Sequence, residues 1–343
     1  MKPIHFLLFF LLITGYFAYK IFDPFLETIT IAVLLTLATY KINEFFVKKL
    51  KNKIAAAFLS SVVISILFFA PIVYLITNAA TTIANIDTNY IKEIYANVYN
   101  WIVSFVSKSG FFKNINILEF IEKIDINSIA QNLITIASFL ATKSAKFLKD
   151  IVLILIFFFF SNLYGKEILL YFQKIAPFPK DESLKLFENL ANVMSVVFSS
   201  IVATSFLQGI LFGIVAQIYG YNGLMFGILY GFSSLIPVVG GILIWLPLVI
   251  HKIAIGDTNS AIAIALYSIV VISIVADTFI KPMIIKYINT IIIKKEFYIN
   301  ELLIFFSIVA GISTYGFWGM ILGPAIITLL ISILNIFPQV NKT

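Results

Sequence analysis

Residues 227–247 read GILYGFSSLIPVVGGILIWLP, from Gly227 to Pro247. The stretch is almost wholly apolar, yet it carries Gly227, Gly231, Pro237, Gly240, Gly241 and Pro247. In hydrocarbon a backbone N–H or C=O freed from its helical partner is costly. Such breaks persist only where other protein or a water-filled cavity covers them. The pattern predicts a broken membrane helix beside a polar pathway.

The rest of the chain agrees with a membrane setting. Of 343 residues, 61% are hydrophobic and 12% charged, and the mean hydropathy is +1.02, too apolar for one soluble core. The expected fold is all-α and polytopic, with about eight transmembrane helices. All 24 basic residues are lysines, so no guanidinium fork exists for phosphate or carboxylate, which disfavours polyphosphate substrates. The net charge of +7 comes from lysines scattered between apolar spans, which fits a bilayer partner and no nucleic acid. Without cysteine there is no thiolate chemistry and no cysteine-based metal site.

Three apolar runs, about residues 4–22, 25–40 and 54–77, make up a first region over 1–77, with Asp23-Pro24 expected to turn the chain tightly between the first two. Lys41, Lys48, Lys49, Lys51 and Lys53 then form a basic loop of the cytoplasmic kind, which sets the N-terminus inside. Over 78–150 the apolar residues fall on helical faces, such as Ile91, Ile94, Tyr95, Val98, Ile102 and Phe105. That pattern predicts amphipathic helices outside the membrane, a cap or a partner-binding unit. A fourth span and a charged linker fill 151–192, and a transport core follows over 193–338 in four apolar segments, about 193–219, 222–251, 258–281 and 301–336. Eight crossings place both termini in the cytoplasm, but put Lys286, Lys294 and Lys295 on the outer side. Either that loop breaks the positive-inside tendency or one segment dips in and returns.

Absences narrow the chemistry. No G-x-x-x-x-G-K-[ST] loop and no H-E-x-x-H pair occurs, and the only histidines are His5 and His251. Nucleotide hydrolysis by a phosphate loop and histidine-based zinc chemistry fall away. No enzyme activity, cofactor or metal is expected. Ser233 and Ser234 either satisfy backbone groups freed at Pro237 or line the pathway. Asp277 and Lys281 stand at i and i+4 directly before Pro282, where a helix is expected to break. Ionisable groups inside a span suggest an ion or substrate path, against the alternative of a salt bridge that fixes a helix end. Gln208 is read as an interhelical hydrogen bond or a solute contact. Gly319 and Gly323, followed by Pro324, make a G-x-x-x-G step suited to close helix packing.

In order, Leu207-Gln208-Gly209, Ile236-Pro237-Val238-Val239-Gly240, Trp245-Leu246-Pro247, Asp277 with Lys281-Pro282, and Gly316-Phe317-Trp318-Gly319 with Gly323-Pro324 resemble the autoinducer-2 exporter (AI-2E) family of bacterial permeases. The resemblance covers about residues 150–335; the first half matches in layout only. Where the family pattern has Asp-Asn and Arg, this chain has Asp277-Thr278 and Lys281, and Tyr164-Gly165 stands where Asp-Gly is usual. The resemblance implies an oligomeric inner-membrane permease, in a family credited with both autoinducer-2 export and sodium/proton antiport. The resulting expectation is a secondary transporter that exports a small polar solute such as autoinducer-2, with H+ or Na+ as a possible coupling ion. Its pathway residues are Gln208, Ser233, Ser234, Pro237, Gly240, Gly241, Asp277, Lys281, Pro282, Gly319, Gly323 and Pro324. A sodium/proton antiporter is the second reading, and a non-transporting membrane assembly or regulatory protein the third.

Overall fold

In the computed structural model, residues 3–84, 88–109, 126–175, 180–236, 240–292 and 301–340 are described, and the regular elements among them are all helical. The first half holds α1 (Pro3–Phe22), α2 (Leu26–Ala38), α3 (Tyr40–Leu50), α4 (Lys53–Ile64), the π-helical turn π1 (Ser65–Phe69), α5 (Ala70–Ala84), α6 (Thr88–Ser109) and α7 (Ile126–Ile175). The second half holds α8 (Lys180–Ile218), α9 (Gly223–Ser233), α10 (Gly240–Ala254), α11 (Thr258–Leu266), the π-helix π2 (Tyr267–Ile280), α12 (Lys281–Ile292), α13 (Glu301–Tyr315) and α14 (Gly319–Val340).

Among the described residues, five helical stretches are long and apolar enough to cross a membrane: Ile4–Ala38, Lys53–Asn78, Ala145–Tyr171, Met194–Ile218 and Thr258–Ile288. Four shorter apolar helices accompany them. The chain is thus an all-α, multi-pass membrane protein. At Asp23–Phe25 a 3-10 turn joins α1 to α2, with right-handed helical torsions at Phe22, Phe25 and Leu26. The expected tight turn is therefore a bend, and the described side chains of α1 are exposed along its whole length.

The four shorter helices form two hairpins. In the first, α9 runs back along α8 on a seam of glycines. A Cβ on Gly209 would stand 2.7 Å from the Gly227 carbonyl oxygen, and one on Gly213 would stand 2.8 Å from that of Gly223. Gly220, with φ of 83°, makes the turn between the helices, and the Asn222 side chain caps α9 by accepting from the Met225 N–H at 3.0 Å. After Ser233 the chain reverses again: the Ser234, Ile236 and Gly240 amides donate to the Tyr230, Ser233 and Ile236 carbonyls at 2.8, 2.9 and 2.9 Å. Helix α10 then climbs back until the Tyr221 Oη lies 2.7 Å from His251 Nδ1. The segment 222–251 thus begins and ends at one end of the bundle.

The second hairpin packs α13 against α14, Gly319 against Gly311 and Gly323 against the Ser307 carbonyl, at backbone contact. It turns at the 3-10 segment Gly316–Trp318. Segment 301–336, like 222–251, therefore returns toward its starting side.

An aromatic chain joins the two hairpin tips. Phe232, at the end of α9, lies 5.8 Å from Phe68 in π1; Phe68 lies 5.7 Å from Phe69; Phe69 lies 6.2 Å from Trp318. Trp318 stacks on Phe147 at 5.1 Å. These rings belong to the larger core with Ile31, Leu35, Ile64, Ile154 and Phe158, all buried. A second cluster, Phe212, Val215, Tyr230, Leu248 and Ile272, fills the first hairpin.

Candidate functional site

Helix α8 carries the site's first component. Ser200, Thr204 and Gln208 are all buried at spacings of four, which align them along one face of an apolar helix. The Thr204 hydroxyl donates to the Ser200 carbonyl at 2.8 Å, while the Ser200 Oγ has no hydrogen-bond partner among the described residues. Gln208 ends this polar file.

Opposite it, π2 brings Asp277. In the wider π spiral the Ser273 hydroxyl donates five residues back to the Ser268 carbonyl at 3.1 Å, and the return to α-geometry falls at Lys281-Pro282, where proline has no N–H to give. The Gln208 Nε2 donates to Asp277 Oδ1, and the Lys281 Nζ stands 4.0 Å from the same oxygen. The side chains of Asp277 and Lys281 are 43% and 36% exposed, so the pair is half open while its amide partner is buried. A carboxylate met by an amide and an ammonium can exchange either partner for a proton, a cation or a polar solute.

Tyr230 completes the surroundings. It is buried, stacks on Phe212 at 4.4 Å, and its hydroxyl is the group that a Cβ on Gly241 would meet at 2.5 Å. Electrostatically it lies within reach of Asp277. No sequence pattern singled it out, because a tyrosine in an apolar helix looks like core.

Of the expected pathway residues, the structure joins Gln208, Asp277, Lys281 and Pro282. Gly240 and Gly241 have structural duties: a Cβ on Gly240 would run into the Ser233 carbonyl, and the Gly240 amide is already committed to Ile236. The Ser234 hydroxyl donates to the Gly231 carbonyl at 2.7 Å and lies 3.5 Å from the Ser205 Oγ. Ser233 offers its carbonyl to the Ile236 amide. Gly319 and Gly323 lie in the α13–α14 seam, with Pro324 buried next to them. Pro237 lies outside the described residues. An apolar groove of about 630 Å³ runs between α8, α9 and π1. Neither Gln208 nor Asp277 lines it, and its hydrocarbon walls suit an acyl chain better than a polar solute.

A second polar cluster stands at the Tyr221 end. His251 is held on both sides, by Tyr221 and by the Tyr90 Oη of α6 at 2.8 Å from Nε2. The Lys252 Nζ lies 3.1 Å from Asp257, whose carboxyl is held below its ordinary range by hydrogen bonds from Ser260 and Lys252. Burial, then the Tyr90 and Asp257 charges, pushes the Tyr221 phenol up to about 12.

The helix expected to break before Pro282 instead runs on from π2 into α12 with only a change of spiral. A multi-pass helical bundle in which a buried amide meets a half-open carboxylate is the architecture of a membrane transporter. The chain belongs to the AI-2E family transporters, whose profile matches residues 5–339. It is 34% identical over 340 residues to a Helicobacter pylori strain 26695 protein, covering 98% of this chain and 96% of that one. A strain J99 relative is 33% identical over the same length and shares. A more distant relative from Aquifex aeolicus strain VF5 is 19% identical over 323 residues, 89% of this chain and 88% of its own. All three carry names that give an inferred transport role and no solute.

Proposed function

We propose that the protein is a secondary transporter of the bacterial inner membrane that exports a small polar solute, autoinducer-2 or a similar hydroxylated metabolite, by alternating access. The observation that carries this reading is the Gln208–Asp277 hydrogen bond at the end of a buried hydroxyl file. Ser200, Thr204 and Gln208 offer the neutral donors and acceptors that a hydroxylated solute needs, and Asp277 with Lys281 supplies a charge pair that can open. The Lys180 end of α8 is the cytoplasmic one in this reading, so Lys286 and the C-terminus face the cytoplasm. The exposed length of α1 is assigned to lipid and to a second copy of the chain.

The test is efflux of autoinducer-2 from inverted or reconstituted vesicles, with and without a proton gradient. Gradient-dependent movement that is lost in Asp277→Asn is the expected result; movement untouched by Asp277→Asn overturns the assignment of the site. Sodium/proton antiport is the second reading, favoured by the same half-open carboxylate. A sodium-dependent pH change in vesicles holding no organic solute distinguishes it. Neither flux, across a set of polar metabolites, would favour a membrane assembly or regulatory role instead.

A further inference from the structure

The outer cluster around His251 is not used by the transport site, and its protons can be placed one by one. The Tyr221 hydroxyl donates to the Leu248 carbonyl at 3.2 Å, so at the 2.7 Å contact His251 Nδ1–H must donate to Tyr221. That leaves Nε2 bare, and at 2.8 Å it accepts from the Tyr90 hydroxyl. The neutral imidazole therefore satisfies three segments at once: α6 through Tyr90, the α8–α9 turn through Tyr221, and its own helix α10. The first two are separated from His251 by 161 and 30 positions in sequence.

We propose that α6 is a strap across the mouth of the α9–α10 hairpin, fastened by neutral His251 and released when that ring binds a proton. A proton from the outer medium would occupy Nε2, the atom that Tyr90 now donates to, so the tyrosine must rotate its own proton away. The new cation would sit beside Lys252. The carboxylate nearest to it in sequence, Asp257, is already engaged by Lys252 at 3.1 Å, and Lys252 also lies 5.7 Å over the Tyr221 ring. From α6 the ionisable groups that line the cavity of about 330 Å³ beside this cluster are Tyr90 and Glu93, together with Ile94, Asn97, Ala254 and Ile255; Lys92 lies on the same helix. Helices α9 and α11 bring no charged side chain, and π2 brings Tyr267 near this cluster and Asp277 at its far end. Histidine is the side chain whose ordinary range makes such a switch work between about pH 5 and 8. The strap's role as a regulator rests on the transport reading, but the strap itself is tested without any flux.

Because the chain has no cysteine, spin labels placed at Ala96→Cys and Asn259→Cys, both exposed, report the α6-to-core distance in the full protein in lipid. At about pH 8 we expect one narrow distance, and at about pH 5 a second, longer population. His251→Gln should remove the pH response, and Tyr90→Phe should show the longer population at both pH values. A distribution unchanged between the two pH values overturns the proposal, and so does a tightening at low pH, the outcome if Glu93 captures the histidinium. Should His251→Gln fail to fold, Tyr90→Phe still decides, because it removes one hydroxyl from an exposed helix.

Discussion

The side chains of Gln208 and Asp277 meet across 69 positions of sequence, the amide donating to the carboxylate. The contact pins α8 to π2 at the level where Pro282 ends the π spiral. A hydrogen bond to a charged group contributes roughly 1.5–3 kcal/mol. We therefore expect Gln208→Leu to lower efflux of the autoinducer-2 probe by about tenfold or more. Combined with Asp277→Asn it should cost little beyond the single change, since the two residues act as one unit. Full efflux in Gln208→Leu would separate them.

The turn between α9 and α10 tolerates no side chain at Gly240. Gly240→Ala drives a methyl into the Ser233 carbonyl, and an overpacked backbone contact of this kind typically costs about 1–3 kcal/mol or more. The expected result is loss of a monodisperse folded species in detergent. Gly15→Ala, with open space around its Cβ position, should leave the melting temperature unchanged.

Phe68 and Trp318 tie the two hairpin tips through π1. Truncating either ring to alanine removes a large buried side chain, at a cost of about 3–5 kcal/mol. Thermal unfolding in lipid nanodiscs should show a clear drop for Phe68→Ala and Trp318→Ala. Phe58→Ala, at an exposed position of α4, should show little.

The hairpin arrangement predicts sidedness. With no native cysteine, single cysteines at Tyr219 and Ile255 should react with an impermeant maleimide from the same side of a sealed vesicle. Lys174→Cys and Lys286→Cys should react from the other. Opposite labelling of positions 219 and 255 would show that segment 222–251 crosses the membrane and would refute the hairpin.

Tyr221 is raised in the folded state to about 12 from an ordinary 10.0. A group whose folded pKa is raised contributes stability that is fully present below the unfolded value and lost as pH climbs through the folded one. The outer cluster should therefore be insensitive to Tyr221 ionisation at neutral pH and loosen between about pH 10 and 12. Hydrogen exchange of the α8–α9 turn over that window checks it, and Tyr221→Phe should abolish the alkaline step.

The sequence by itself determined the membrane setting, the helical class and two of the breaks, those between α9 and α10 and between α13 and α14, whereas the helices run on through Pro247, Pro282 and Pro324. Hydropathy and Pro/Gly punctuation are local properties, and bilayer chemistry admits few responses to them. It also marked Gln208, Asp277 and Lys281, because polar groups in apolar spans are costly enough to be conspicuous one at a time. Only the tertiary structure decided that 222–251 and 301–336 fold back on themselves, since a crossing helix and half of a hairpin share one composition, and the difference lies in backbone contacts such as Gly227 on Gly209 and Gly319 on Gly311. It also decided that Gln208 meets Asp277, that Tyr230 stands beside Gly241, and that Tyr90, Tyr221 and His251 share protons. Those residues lie in different elements, and which side chains face one another is fixed by how the helices pack and not by the spacing along any one of them.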